Sequence, residues 1–304
     1  MVRVIGFLVG LGFVGVALIS LITGMVTYVS EPHEETVEHR FHLEPKHVSF
    51  PTDGALGKFD RQQLQRGFQV YKEVCAACHG INYVAFRNLA DLGYEEAEIK
   101  AIAEQWQIEV PSVNAETGEA ATRKAIMADR FPNPYANEVA ARAANNNAMP
   151  PDLSLITKAR HGGAAYVYSL LTGYQNPPAN LPQEARPGQG LYYNPYFANL
   201  NIAMPPPITA DGQVTYADGT QATRDQMAKD VSAFLVWTAE PNLESRHRTG
   251  LAVLLFLLLA TILAYFSYKQ VWSGSSRAVR PSGPLDPDNM ARSHGASRDA
   301  GIEQ

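Results

Sequence analysis

Only two cysteines occur in the 304 residues, and both lie in the run Cys75-Ala76-Ala77-Cys78-His79. The pattern is C-x-x-C-H, the attachment signature of a c-type haem: two thiols form thioethers with the vinyl groups, and the histidine that follows ligates iron. The spacing has a geometric basis. Residues three apart on a helical turn face one way, and a histidine directly after them brings its imidazole under the porphyrin plane. A structural zinc site would need a second ligand pair, and no cysteine remains to supply one. A thioredoxin-like C-x-x-C belongs near a β-α-β pattern, which the flanking sequence lacks. The motif therefore predicts one covalently bound haem c, and with both thiols committed the chain has no internal disulfide.

An electron-carrying haem of this type takes a methionine as its sixth ligand, because the thioether favours ferrous iron and raises the potential. Four methionines lie between the two long apolar runs of the chain: Met127, Met149, Met204 and Met227. Met227 falls in a helical pattern, Thr223 to Trp237, with Val231, Phe234 and Leu235 on one face, and reads as core or surface rather than as a ligand. Met127 stands among Arg123, Lys124, Asp129 and Arg130. Met149 and Met204 each open a proline run, Ala148-Met149-Pro150-Pro151 and Ala203-Met204-Pro205-Pro206-Pro207. Prolines fix the backbone of a loop, and a weak thioether ligand needs a rigid loop. Spacing alone favours Met204 only narrowly.

Elements that must position these groups are legible around them. Leu64, Phe68 and Tyr71 recur at i, i+4 and i+7 in the run Asp60 to Tyr71, which predicts an amphipathic helix feeding into the haem motif. Val214 to Thr223 reads as a β-hairpin turning at Asp218-Gly219. The architecture expected is mainly α, a c-type cytochrome haem domain with long Pro- and Gly-rich loops and a small β-hairpin.

Two uncharged runs stand apart from that domain, Val4 to Ser30 with 27 residues and Thr249 to Tyr268 with 20. At 1.5 Å per residue, about 20 helical residues cross a hydrocarbon core of roughly 30 Å. Tyr265, Tyr268 and Trp272 stand where an interfacial aromatic belt would be. The first run is too long for a signal h-region and has no small-x-small cleavage site after it, so it reads as an uncleaved signal anchor rather than a removed signal. Gly6 and Gly10 form a G-x-x-x-G step in it. Arg3 precedes the first run, and Lys269, Arg277, Arg280, Arg292 and Arg298 follow the second, which puts both ends in the cytoplasm. The expected domains are an anchor at 1–30, an exported haem domain at 31–248, a second span at 249–272, and a flexible cytoplasmic tail at 273–304, disordered from Gly274 onward on its Ser, Pro, Gly and Arg content. The net charge of −5 excludes a generally basic nucleic-acid binder, and the exported part alone holds 26 acidic against 19 basic residues.

Several further motifs, in order, resemble the cytochrome c1 family, the haem-bearing subunits of cytochrome bc1 complexes. They are Arg66-Gly67-Phe68-Gln69-Val70-Tyr71 before the haem motif, Glu138 to Asn146, Pro150-Pro151-Asp152-Leu153-Ser154, Ala159-Arg160-His161-Gly162-Gly163, Ser169 to Tyr174, Gly190 to Phe197, Ile202 to Ile208 and Lys229-Asp230-Val231. The resemblance implies that His79 and Met204 are the iron ligands. It implies that Arg160 pairs with a haem propionate, and that Asn145, Pro150, Pro151, Tyr166, Leu171 and Phe197 line the pocket. It further implies a bacterial inner-membrane protein with a periplasmic haem domain. Its role would be to pass single electrons from a Rieske iron-sulfur protein to cytochrome c, beside cytochrome b and membrane lipid, in a dimeric multi-subunit quinol-cytochrome c reductase. No residue of the chain itself is expected to make or break substrate bonds. Without the resemblance His161 reads as a surface residue and Tyr166 as core packing. Two other classes fit the haem motif alone: a haem sensor or enzyme with an open sixth position, and a structural haem scaffold.

Seven acidic residues lie between Glu95 and Glu119 (Glu95, Glu96, Glu98, Glu104, Glu109, Glu116 and Glu119), running into an apparent loop at Pro111 to Ala125. They read either as a docking surface for a basic acceptor or as a solvated helix face.

Overall fold

The computed structural model describes residues 2–30 and 36–278. In chain order the elements are α1 (Val2–Ser30), α2 (Val37–Phe41), α3 (Arg61–Val70), α4 (Glu96–Glu104), β1 (Val110–Val113), β2 (Ala120–Arg123), α5 (Glu138–Ala144), α6 (Gly163–Thr172), β3 (Tyr192–Tyr193), β4 (Asn201–Ile202), α7 (Arg224–Ala239) and α8 (Leu243–Ala278). The architecture is mainly α with short antiparallel pairs, β1 with β2 and β3 with β4. Among the described residues, those up to Asp53 and from Lys58 to Pro241 form one compact unit, and Gly54–Gly57 with residues 242–278 form another.

Helix α3 starts where Asp60 caps it, its carboxylate accepting from the amides of Gln62 and Gln63. It buries Leu64, Phe68 and Val70 and crosses α7, which Thr223 caps at the amide of Gln226. The crossing is close because Gly67 has no side chain: a Cβ there would lie 2.7 Å from the Cβ of Phe234. Beside it Asp230, fully buried, accepts from Arg66 Nε at 2.9 Å, Gln63 Nε2 at 3.1 Å and Gln226 Nε2 at 2.8 Å. Arg66 also reaches Asp218 at 2.7 Å. A buried carboxylate is tolerable when its lone pairs are satisfied in this way. Around the crossing, Phe68, Tyr71, Phe131 and Phe234 meet edge-on or tilted, at centroid distances of 5.7 to 6.4 Å. Met227 is in this core with no exposure, which decides between the core and surface readings of its helix.

The hairpin forms elsewhere than expected. Val214 and Tyr216 are buried on one face, the alternation that suggested a strand. They pack into the core instead, Asp218 turns to Arg66, and Gly212 N to Ala222 O at 2.7 Å is the backbone bond that joins the arms. The small hairpin is β1–β2, within the stretch Pro111 to Ala125 expected to be a loop. Its turn is built by Asn114, whose side chain accepts from the amides of Glu116 and Thr117, and by Gly118 at φ +73°.

Helix α1 and the segment Leu243–Ser273 of α8 are both long and apolar enough to cross a membrane, and the protein is membrane-anchored. The tail expectation is corrected at its start, since Gly274 to Ala278 continue α8. From residue 279 it lies outside the described residues, as do Glu31, Glu34 and Glu35.

Candidate functional site

The haem motif follows α3 through a wider turn. The amide of Ala76 bonds to the carbonyl of Tyr71 at 2.8 Å, an i→i+5 closure over Tyr71–Cys75. Cys78 N and His79 N then both bond to the carbonyl of Cys75, at 3.0 and 2.9 Å, which places the two thiols and the imidazole within one turn. Burial, with Cys78 adding to it, pushes the Cys75 thiol up to about 12.

His79 is fixed from two sides. The hydroxyl of Tyr71 donates to its carbonyl at 3.0 Å. Its Nδ1 lies 2.7 Å from the carbonyl of Pro151, and a carbonyl accepts only, so Nδ1 carries the proton and Nε2 offers its lone pair. Burial lowers the imidazole pKa, against the opposing effects of the Pro151 carbonyl and Asp152; the neutral ring is the form that binds a metal.

Pro151 is held in turn by the segment that follows it. Leu153 N bonds to Gly80 O at 2.8 Å, Asp152 accepts from Asn82 N at 2.8 Å, and Ser154 Oγ accepts from Tyr83 N at 3.1 Å. Gly80 admits this approach, since a Cβ would lie 3.3 Å from the Asp152 carboxylate and closer still to Asn133. Asn145, which follows the last residue of α5, donates to Ala141 O at 2.7 Å. The structure thus brings Cys75, Cys78, His79 and Pro151 together around one turn, with Pro150 next to Pro151 in the chain and Asn145 at the end of α5.

A second group is assembled on α6 and the loops after it. Tyr166 and Leu171 of α6 pack, half-buried, against the same core as Cys75. Arg160 is exposed and donates to Ala159 O at 2.9 Å. No carboxylate among the described residues forms an ion pair with it. Phe197 lies half-buried in the loop between β3 and β4. Met204 is half-buried, and its carbonyl accepts from the hydroxyl of Tyr174 at 3.1 Å. Met149, the competing methionine, is 47% exposed. His161 is on the surface.

Sequence reasoning missed two tyrosine hydroxyls, those of Tyr71 and Tyr174, which donate to the carbonyls of His79 and Met204. Tyr71 registers only as an apolar position, because periodicity sees the ring and not the hydroxyl. The donor set fits a haem: two thiols in one turn, a neutral imidazole with its Nε2 lone pair available, a methionine in a proline-fixed loop, and an arginine open to a carboxylate. A model of the Cytochrome C1 family matches residues 50–275, about three quarters of the chain.

The chain belongs to the cytochrome c1 family. "Cytochrome c1 1, heme protein, mitochondrial" of Arabidopsis thaliana is 44% identical over 252 residues, 83% of this chain and 79% of the relative. "Cytochrome c1" of Rhodospirillum rubrum is 46% identical over 231 residues, 72% of this chain and 84% of its own. "Cytochrome b-c1 complex catalytic subunit, mitochondrial" of Candida albicans is 45% identical over 239 residues, 78% and 79% respectively. As a cytochrome c1, the protein is a haem protein of respiratory electron transfer, and a haem sensor with an open sixth position is not favoured.

Proposed function

We propose that the chain carries one haem c, which Cys75 and Cys78 would bind covalently and whose iron His79 and Met204 would ligate. It relays single electrons from a Rieske iron-sulfur protein to a cytochrome c, within a dimeric complex that contains cytochrome b. The observation that carries this reading is the contact of His79 Nδ1 with Pro151 O at 2.7 Å, which turns Nε2 into a fixed donor directly behind the two thiols. When bound, the haem supplies a one-electron ferric/ferrous couple. The chain's residues do the rest. Cys75 and Cys78 would fasten the haem, His79 and Met204 would ligate its iron, and Arg160 would neutralise a propionate. Asn145, Pro150, Pro151, Tyr166, Leu171 and Phe197 line the cofactor and exclude water. The chain is then an electron-transfer subunit of an oxidoreductase rather than a bond-making catalyst. Its haem domain faces the periplasm, both ends are cytoplasmic, and α8 packs in lipid beside cytochrome b.

Denaturing gels of the full-length chain should retain haem in the protein band, and Cys75→Ala with Cys78→Ala should lose it. Membranes containing the complex should show quinol-dependent reduction of the c-type absorption band before added cytochrome c is reduced. A folded, membrane-inserted chain whose haem is extracted by acid acetone would rule the covalent reading out.

A further inference from the structure

A thioether is a weak iron ligand, so whatever holds the backbone at Met204 decides how firmly the sulfur stays on the metal. Met204 lies in irregular chain between β4 and α7. The described bond to its carbonyl comes from Tyr174 at 3.1 Å, and Tyr174 stands two residues beyond the end of α6. What fixes the end of α6 is therefore coupled to the ligand.

Two side chains from distant segments close that end. Asn194 Nδ2 donates to Leu170 O at 2.8 Å. Lys46 Nζ donates to Thr172 O at 3.3 Å and to Thr172 Oγ1 at 2.7 Å. An ammonium at the last carbonyls of a helix satisfies orphan acceptors and complements the negative end of the dipole. The same ammonium lies 5.7 Å from the ring centroid of Tyr168 and 5.5 Å from that of Tyr196. The Tyr196 ring presses on Gly173, where a Cβ would come within 2.8 Å of it. The Lys46 backbone is anchored as well, its amide donating to Ser169 Oγ at 2.8 Å, while Leu43 N bonds to Pro195 O at 2.8 Å. The strap 43–46 thus clamps α6 to the loop that follows β3.

We propose that Lys46 is a positioning residue for the iron ligand: through Thr172, Gly173 and Tyr174 it fixes the backbone of Met204, so that the N-terminal strap sets the strength of the methionine bond without touching haem. The proposal rests on Met204 being the sixth ligand. It assigns to a lysine 158 positions earlier in the chain an effect on the ferric coordination equilibrium.

The test uses full-length holoprotein and follows the far-red sulfur-to-iron charge-transfer band of the ferric state as pH is raised, together with the midpoint potential. Lys46→Met should lose the band at a pH lower by about one unit, a hold on the methionine weaker by about tenfold, the scale of one charge-assisted hydrogen bond. Its potential should fall as well. Lys46→Arg keeps the charge, the donors and the ring contacts and should restore both values. Tyr174→Phe removes only the hydroxyl at the far end of the relay and should shift them in the same direction. A Lys46→Met protein with haem bound and both readouts unchanged overturns the proposal. If Lys46→Met fails to fold, unchanged readouts in Tyr174→Phe overturn it instead. Met204→Leu separates the underlying assumption: a band that survives in Met204→Leu, or is missing from the folded wild type, overturns the ligand assignment and the proposal with it.

Discussion

An imidazole has two nitrogens, and in His79 the 2.7 Å contact of Nδ1 with Pro151 O leaves only Nε2 for a metal. The two Ala-Met-Pro-Pro sites are not equivalent in the same sense: Met204 is tethered through its carbonyl, whereas Met149 is 47% exposed. Met204→Leu should therefore abolish the sulfur-to-iron band and lower the midpoint potential, while Met149→Leu leaves both unchanged; redox titration of the two proteins side by side checks this. A Met149→Leu protein with an altered potential would exchange their roles. The residue types of the site were legible in the sequence, since thiols, imidazole and thioether announce their chemistry wherever they stand. Their fastening was not. Tyr71 and Tyr174 act through hydroxyls that meet partners 8 and 30 positions away, and no short-range pattern records such a meeting.

The crossing of α3 and α7 carries the haem motif on one of its arms, so its closeness matters beyond stability. At Gly67 a methyl group would improve intrinsic helix propensity by about 1 kcal/mol. The same methyl would lie 2.7 Å from Phe234 Cβ and also meet the backbone of Asp230, and overpacking of this kind costs about 1 to 3 kcal/mol or more. The clash outweighs the propensity, and Gly67→Ala should lower the denaturant midpoint at an unchanged m-value. Asp230→Ala should also destabilise, by about 3 kcal/mol, near the low end for breaking a buried ion pair because Arg66 keeps Asp218; haem absorbance followed through a denaturant titration measures both. At this scale α3 and α7 were foreseeable, because long apolar periodicity survives whatever the helix packs against. The hairpin was misplaced for the opposite reason. Val214 and Tyr216 alternate like a strand yet are claimed by the core, while the turn at Asn114 and Gly118 sits among polar residues with no alternation to announce it.

For the whole molecule, two apolar helices anchor a domain whose acidic residues gather between Glu95 and Glu119. Some of these carboxylates have local duties: Glu98 accepts from the amide of Glu95 at 2.8 Å as a helix cap, and Glu96 pairs with Lys100. A docking test must therefore spare the cap. Charge reversal at Glu104 and Glu116 together should slow association with a basic cytochrome c and flatten its salt dependence. Stopped-flow rates across ionic strength decide it, and identical rates at low salt would return the cluster to a solvated face. Alkaline carbonate washing should leave the full chain in the membrane fraction, as two spans of this length require. The clamp on His79 also bears on the order of events during synthesis. The two thiols and the imidazole emerge together, but Pro151, whose carbonyl orients the ring, lies 72 residues further on, and the tether of Met204 is later still. A chain synthesised only as far as α4 has both thiols and the imidazole but lacks the carbonyl that orients the ring. The groups proposed to hold the haem are thus completed in chain order, the thiols first and the orientation of His79 only once Pro151 and the segment that fastens it have arrived.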